Sequence, residues 1–341
     1  MTITRIIKRC LFTVVIFAVA ATTVFAQCEL KPDEAKWLEG TMNAWNAVRK
    51  NELKLPASDL PWSVLFDEKC VHNINPDTRQ FSNREGTRQV ARTMAGEPLR
   101  IESSSHSGKI FLPDGQSIPS QLISFAANYD GDKRSFFVAA LPSIWKNVEH
   151  LRQEKNVETL VRSIYIHELT HTYHRNFFAR LNAIEKSMPD VDNFDDDIIQ
   201  NIFSKNEKFN KAYTEEIALA NDAVAETKPE KKRAIAKRLL DRMKQRRAMY
   251  YTGKDLKFAE IEDIFLTMEG VANWAAYRAA IADGLSENEA SRLIRRGGKH
   301  WSQEHGILLF MIINSLSPNW QKAAFAKRPA SIVSLLERAV R

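Results

Sequence analysis

Little in this sequence is present in excess. Glycine and proline number 12 each in 341 residues, and there is no low-complexity tract or internal repeat. Those absences exclude repeat and low-complexity architectures and leave an ordinary compact globule. Charge of one sign is also lacking: 49 Lys+Arg stand against 42 Asp+Glu, and three of the basic residues, Arg5, Lys8 and Arg9, fall at the very start. So mild an excess excludes the concentrated basic footprint of a nucleic-acid binder. No apolar run reaches the ~18 to 20 residues that span a bilayer. The longest runs from Leu11 to about Ala26, follows the basic start and closes on Val24-Phe25-Ala26. That is the pattern of a cleavable leader. The expectation is a signal peptide over 1–26, a mature chain from Gln27 and no stable membrane insertion after cleavage. Gln27 stands where a lipidation signal carries Ala, Gly or Ser, which disfavours lipidation of Cys28. Cysteine is scarce. Of three, Cys10 leaves with the leader, so Cys28 and Cys70 remain as an even pair. In a periplasmic or extracellular compartment they are expected to form a disulfide.

What is there has a clear order. "PDEAKWLEGTMNAWNAVRKNEL" has helical spacing, and "LPWSVLFDEKCVHNI" is an apolar extended run. Between Gly108 and Trp145, β-rich pieces alternate with the turn sequences Pro113-Asp114-Gly115 and Asp130-Gly131-Asp132. This predicts a small antiparallel sheet whose last strand, Ser135–Leu141, is ended by Pro142. From about Val148 onward helical periodicity dominates, over 156–185, 196–227, 229–250, 257–284, 287–296, 303–315 and 328–340. The class is therefore α+β: a small antiparallel sheet followed by a predominantly helical body. No linker divides residues 27–341, so one domain is expected. "PDVDNFDDDI" lacks the Gly and terminal Glu of an EF-hand loop and reads as a solvated loop or helix cap. "KPEKKRAIAKRLLDRMKQRR" reads as a solvated basic helix with Ile235, Leu239 and Met243 turned inward.

One apolar stripe carries imidazole where Leu or Ile is usual. Leu160, Ile164, His167, His171, His174 and Phe178 fall at i, i+4, i+7, i+11, i+14 and i+18, one helical face. Buried imidazoles need partners for both ring nitrogens, and a metal ion is one partner for a pair spaced by a single turn. His167-Glu168-Leu169-Thr170-His171 is HExxH: two ligands at i and i+4 with a glutamate beside the first, placed to act as general base. His174 cannot complete the set from a straight helix, because i to i+7 spans ~10.5 Å of axial rise. The third ligand is thus expected from another helix. Glu269 is the leading choice, sharing a face with Glu262, Leu266 and Asn273, while Gly270 permits close helix approach. Glu215, Glu216 and Glu226 are the alternatives. Glu262 and Asn273 are expected to orient ligands, and His174 to support them or line the cleft.

The HELTH helix, the β-rich segment before it and "TMEGVANWAAY" after it together resemble the zincin metallopeptidases of the gluzincin type. In their aminopeptidase branch the third zinc ligand is a glutamate in an Asn-Glu-Gly-Phe-Ala-like helix. Glu269-Gly270-Val271-Ala272 resembles that element, with Met268 in place of Asn. Ninety-seven residues separate His171 from Glu269, so an inserted helical segment is implied. The metzincin variant does not apply, since its Gly would fall at His174 and its third His at Phe177. The resemblance implies one Zn²⁺ held by His167, His171 and Glu269, with Glu168 as the base. It implies a peptide or protein substrate laid as an added strand along Ser135–Leu141. An oxyanion donor is also needed, and His305 or His300 is the candidate. A non-catalytic envelope protein that keeps a metal-stabilised fold for binding is the competing expectation.

Overall fold

The computed structural model describes residues 28–57, 60–77, 88–129, 131, 133–151, 154–191, 194–295 and 298–341. The expected leader and the mature start at Gln27 lie outside the described residues, as do Asp130 and Asp132 of the second turn. Cys28 and Cys70 are disulfide-bonded, with Cα atoms 5.7 Å apart. The bond ties the start of the described chain, just before the helix Pro32–Ala47, to a strand of the main sheet.

Among the described residues there are eight strands: β1 Trp62–Phe66, β2 Cys70–Ile74, β3 Arg88–Met94, β4 Glu97–Ser105, β5 Lys109–Phe111, β6 Ser117–Pro119, β7 Ser124–Tyr129 and β8 Arg134–Ala140. Six form one sheet in the order β3-β4-β2-β1-β8-β7, and β5 and β6 form a separate hairpin around Gly115. The α+β class stands, and the sheet is larger and mixed, because β1 and β8 run parallel with Val64 opposite Val138. Every residue of β1 and all but the first of β8 are buried. Both strands are covered on two faces, which is why "WSVLF" and "SFFVAA" read as near-continuous runs and not as alternation.

Pro142 ends β8 as expected and opens the short helix Pro142–Lys146. The strand itself is interior, though, between β1 and β7. The edge is β7, whose half-buried "SFAANY" gave a weaker strand signal. A parallel partner 74 residues away, as Val138 is from Val64, cannot be read from local alternation, and the sheet edge therefore lies one strand earlier in the chain than Ser135–Leu141.

The helical body follows its periodicity closely, with two interruptions. The stretch 156–185 is two helices, Val157–His171 and Arg175–Glu185. Thr172 Oγ1 turns back onto the Leu169 carbonyl at 2.6 Å and His174 leaves helical geometry at φ −92°, ψ 22°. The stretch 196–227 is also two, Ile198–Phe203 and Glu207–Ala225, the second capped by Asn206, whose side chain accepts from the Phe209 amide. Further on lie Pro229–Tyr250, Phe258–Ala282, Glu287–Arg295, Trp301–Leu316 and Ile332–Val340. The Val157–His171 helix packs on the β7–β8 side of the sheet, with Tyr165 edge-on to Phe137 at 4.7 Å.

Phe258–Ala282 is the central element. It is buried without a break from Ile264 to Tyr277, the mark of a helix covered on all sides. Its crossing with Trp301–Leu316 is made by two glycines. A methyl group on Gly270 would lie 2.6 Å from the Gly306 carbonyl oxygen, and one on Gly306 would lie 2.8 Å from Gly270 Cα. Backbone touches backbone there, and this fixes the depth at which Glu269, the preceding residue, sits.

Candidate metal centre

The Val157–His171 helix crosses the middle of Phe258–Ala282, and three side chains meet where they touch. His167 Nε2 and His171 Nε2 are 2.9 Å apart. Glu269 Oε1 is 3.1 Å from His171 Nε2, and Glu269 Oε2 is 3.3 Å from His167 Nε2. All three side chains are at most 13% exposed. Ligands ~2.0 to 2.1 Å from a tetrahedral ion would be ~3.3 Å from each other, so the spacing suits a zinc-sized cation.

Tautomers sharpen the point. His167 Nδ1 lies 3.1 Å from Asn273 Oδ1, an acceptor, so the ring proton is on Nδ1 and Nε2 carries a lone pair. His171 Nδ1 lies 3.3 Å from His174 Nδ1. With two Nε2 atoms 2.9 Å apart, at most one proton fits between them, and placing the His171 proton on Nδ1 makes it the donor to His174. Glu269 Oε2 has no hydrogen-bond partner. With these tautomers three acceptors converge, His171 and Glu269 buried and His167 half-buried, with no donor among them, an arrangement that is costly unless a cation fills it. The residues present fit a divalent ion held by two imidazoles and one carboxylate.

Two carboxylates compete for a role here, because Glu168 also offers a ligand atom within 4.8 Å of both histidines. Electrostatics separates them. Burial pushes the Glu168 carboxyl up to about 7, only partly offset by His167, while Glu269 adds to the rise. Glu168 also bonds to Ser124 of β7. For Glu269, burial again opposes ionisation; positive charge on His171 and His167 holds its carboxyl well below the usual range, and with both rings neutral a bound cation is what would take over that part. The two carboxyls are thus pushed in opposite directions, Glu269 towards the anion and Glu168 towards the protonated form.

His174 sits behind His171, wholly buried, its ring stacked on Phe325 at 5.6 Å. Burial holds it well below 6.5, with His171 contributing in the same direction, so it is neutral and able to accept from His171. The helix break at Thr172 brings it there, and residue spacing alone put it only on the same face. Asn273 supports His167 as expected. Glu262 does not join the ligand shell. It pairs with Arg246 and Arg247, both at 2.7 Å. Glu216 is likewise taken by Arg246, Glu215 is solvent-exposed, and the Glu226 carboxylate accepts from the Lys228 amide.

His305 is not at the centre. It is fully buried against Tyr213, with ring centroids 5.2 Å apart, and burial lowers it to about 3. His300 is at the surface, paired with Asp197 at 2.9 Å. Position beside Gly306 suggested an active-site histidine; in three dimensions Gly306 itself takes the crossing and turns His305 to the other side, towards the Arg246 pairs. The group that does reach the cleft from this helix is Gln303. No histidine-based signal pointed to it.

Two connected hollows flank His167 and Glu168. One, of about 320 Å³, is walled by Phe178, Leu181, Phe194, Phe265 and Met268 and also reaches His171 and Glu269. The other, of about 130 Å³, is bounded by Ser124, Ser163, Asn273 and Gln303. β7 runs along both through Ser124, with Phe125 and Ala126 on the wider side. The strand available for pairing with an extended ligand is thus β7, in place of Ser135–Leu141. No protein-family model, no curated protein and no solved structure matches the chain.

Proposed function

We propose that the protein is a zinc-dependent peptidase acting outside the cytosol. The observation that carries this is the convergence of three proton-free acceptors, His167 Nε2, His171 Nε2 and Glu269, beside a second glutamate of opposite protonation behaviour. The resemblance of HELTH and Glu-Gly-x-Ala to the gluzincin motifs supports the same reading. The Cys28–Cys70 disulfide supports a periplasmic or extracellular setting, and among the described residues no helix is long and apolar enough to cross a membrane.

When bound, the ion would act as a Lewis acid and lower the pKa of water towards ~7. His167, His171 and Glu269 would hold it, and Asn273 and His174 keep the two imidazoles in the right tautomer. Glu168 takes the proton from the attacking water and returns it to the leaving amine, work suited to a carboxyl poised at about 7. An extended substrate lies along β7, antiparallel or parallel to it by main-chain bonds.

Metal analysis tests the first half: about one zinc per chain in the wild type, absent from His167→Ala. Glu168→Gln tests the second. It is expected to keep the metal and to lose at least ~10² in kcat. Near-normal turnover with zinc bound would end the base assignment. A variant without zinc would make Glu168 structural.

A further inference from the structure

Both hollows flanking Glu168 share an unusual deficit. Among the described residues neither is lined by a single lysine or arginine. The wider one carries five carboxylates, Glu168, Glu185, Asp195, Asp196 and Glu269. A divalent ion offsets two of those charges and leaves an acidic surplus. In a chain with more basic than acidic residues this is a local choice, not a global one.

Asp196 is the carboxylate best placed to act on a substrate. It accepts from Gln303 Nε2 at 3.2 Å and is approached by Ser302 Oγ at 3.5 Å, both neutral donors that orient it without cancelling its charge. Its neighbour Asp197 is occupied by His300. Beside the acids the same hollow is lined by Phe178, Leu181, Phe194, Phe265 and Met268. A long side chain with an aliphatic stem and a cationic end matches both surfaces at once. A substrate carboxylate would meet, among the described residues, no lysine or arginine in either hollow, five carboxylates in the wide one and Glu168 in the narrow one.

The narrow hollow gives an independent sign that a ligand enters. Ser163 lines it, is 1% exposed, and its Oγ has no hydrogen-bond partner. Helical hydroxyls usually bond back to the i−4 carbonyl, as Thr170 does on Ile166 at 2.8 Å. The Ser163 hydroxyl is left with its hydrogen-bonding capacity unused, on a residue that lines a space of about 130 Å³. That volume admits a small residue and little more.

Resting on the peptidase reading, we propose that the substrate is a peptide with lysine or arginine in the wide hollow, read by Asp196 with Asp195, and a small residue in the narrow one. A free amino terminus offers the same charge but lacks the stem for the apolar wall. Among the described residues no lysine or arginine lines either hollow to hold a peptide's carboxyl terminus.

The test uses metal-loaded protein and short peptides acetylated and amidated at their ends, identical except for Arg-Ala, Lys-Ala, Leu-Ala, Glu-Ala or Arg-Trp at the centre. Mass spectrometry should find cleavage at the central pair with Arg and Lys at least ~10-fold above Leu and Glu in kcat/KM, the size of a charge-assisted contact. Arg-Ala should exceed Arg-Trp. Asp196→Asn should reduce the Arg-to-Leu ratio several-fold and Asp196→Lys should invert it. Asp195→Asn, at an exposed position, gives a smaller fall and guards against misfolding. Cleavage without basic preference, or a ratio unchanged in the Asp196 variants, overturns the inference while the peptidase reading stands. Binding of the same peptides to Glu168→Gln by calorimetry separates the two: selective binding of the Arg peptide with no cleavage by the wild type would keep the specificity and overturn the peptidase.

Discussion

Glu262 and Glu269 lie two turns apart on one helix, both nearly inaccessible, yet their surroundings are opposites. Glu262 meets guanidinium groups from Arg246 and Arg247, and Arg246 also grips Glu216 through two bonds of 2.8 and 2.9 Å. Tyr251 and the faces of Phe209 and Tyr213 complete that cage. Each carboxylate here has a guanidinium counter-charge, although Arg247 Nη2 is left without a hydrogen-bond partner. Glu269 meets imidazole lone pairs instead, beside an open hollow. Burial of an anion is common to both, so burial is no sign of function. What distinguishes a site is a set of acceptors left without donors.

That contrast can be broken at each end. Glu269→Ala is the most damaging to the metal: the variant should lose stoichiometric zinc while its far-ultraviolet circular dichroism stays native. Zinc bound at wild-type affinity would remove Glu269 from the ligand set. Arg246→Ala attacks the arginine network. It strands Glu216, 1% exposed, and leaves Glu262 with Arg247 alone, and should cost ~3 to 5 kcal/mol in denaturant unfolding. Metal affinity of whatever remains folded should be unchanged, and a selective loss of zinc would show that the two clusters are coupled. Asn273→Ala acts one bond away from the ion and should weaken zinc by ~10 to 100-fold in chelator competition.

The smallest expected effect is at His305. Burial lowers it to about 3, so between about pH 6.5 and 3 the unfolded chain binds a proton that the folded one refuses. Its contribution is therefore lost as pH falls through that window, with a slope of at most ~1.4 kcal/mol per pH unit. His72, lowered by burial to about 4, and His174 act in the same direction. His305→Leu should flatten the fall in unfolding free energy over this range and leave zinc content alone. Both ring nitrogens of His305 lack partners, so the variant should not be less stable near neutrality. An unchanged slope would mean that His305 finds a partner when protonated.

Much of this was legible along the chain because it depends on neighbours one turn away. The i, i+4 pair His167 and His171, the glutamate beside them at 168, the helices Pro229–Tyr250 and Glu287–Arg295, and the stop at Pro142 follow from helix pitch and proline geometry, which a short window contains. Even Glu269 was reachable, through the face it shares with Asn273 and the glycine after it. The rest was decided by contacts between segments far apart in sequence. Spacing could not tell Glu269 from Glu216, because each is a buried helical glutamate; the arginines that claim Glu216 and the histidines that face Glu269 are assigned by which helices cross. Nor could it show that β7 takes the sheet edge, that the helix breaks at Thr172 to bring His174 behind His171, or that Gly306 turns His305 away and leaves Gln303 in the cleft. A backbone crossing as close as Gly270 on Gly306 sets those positions to within an ångström or two, and only the folded chain contains it.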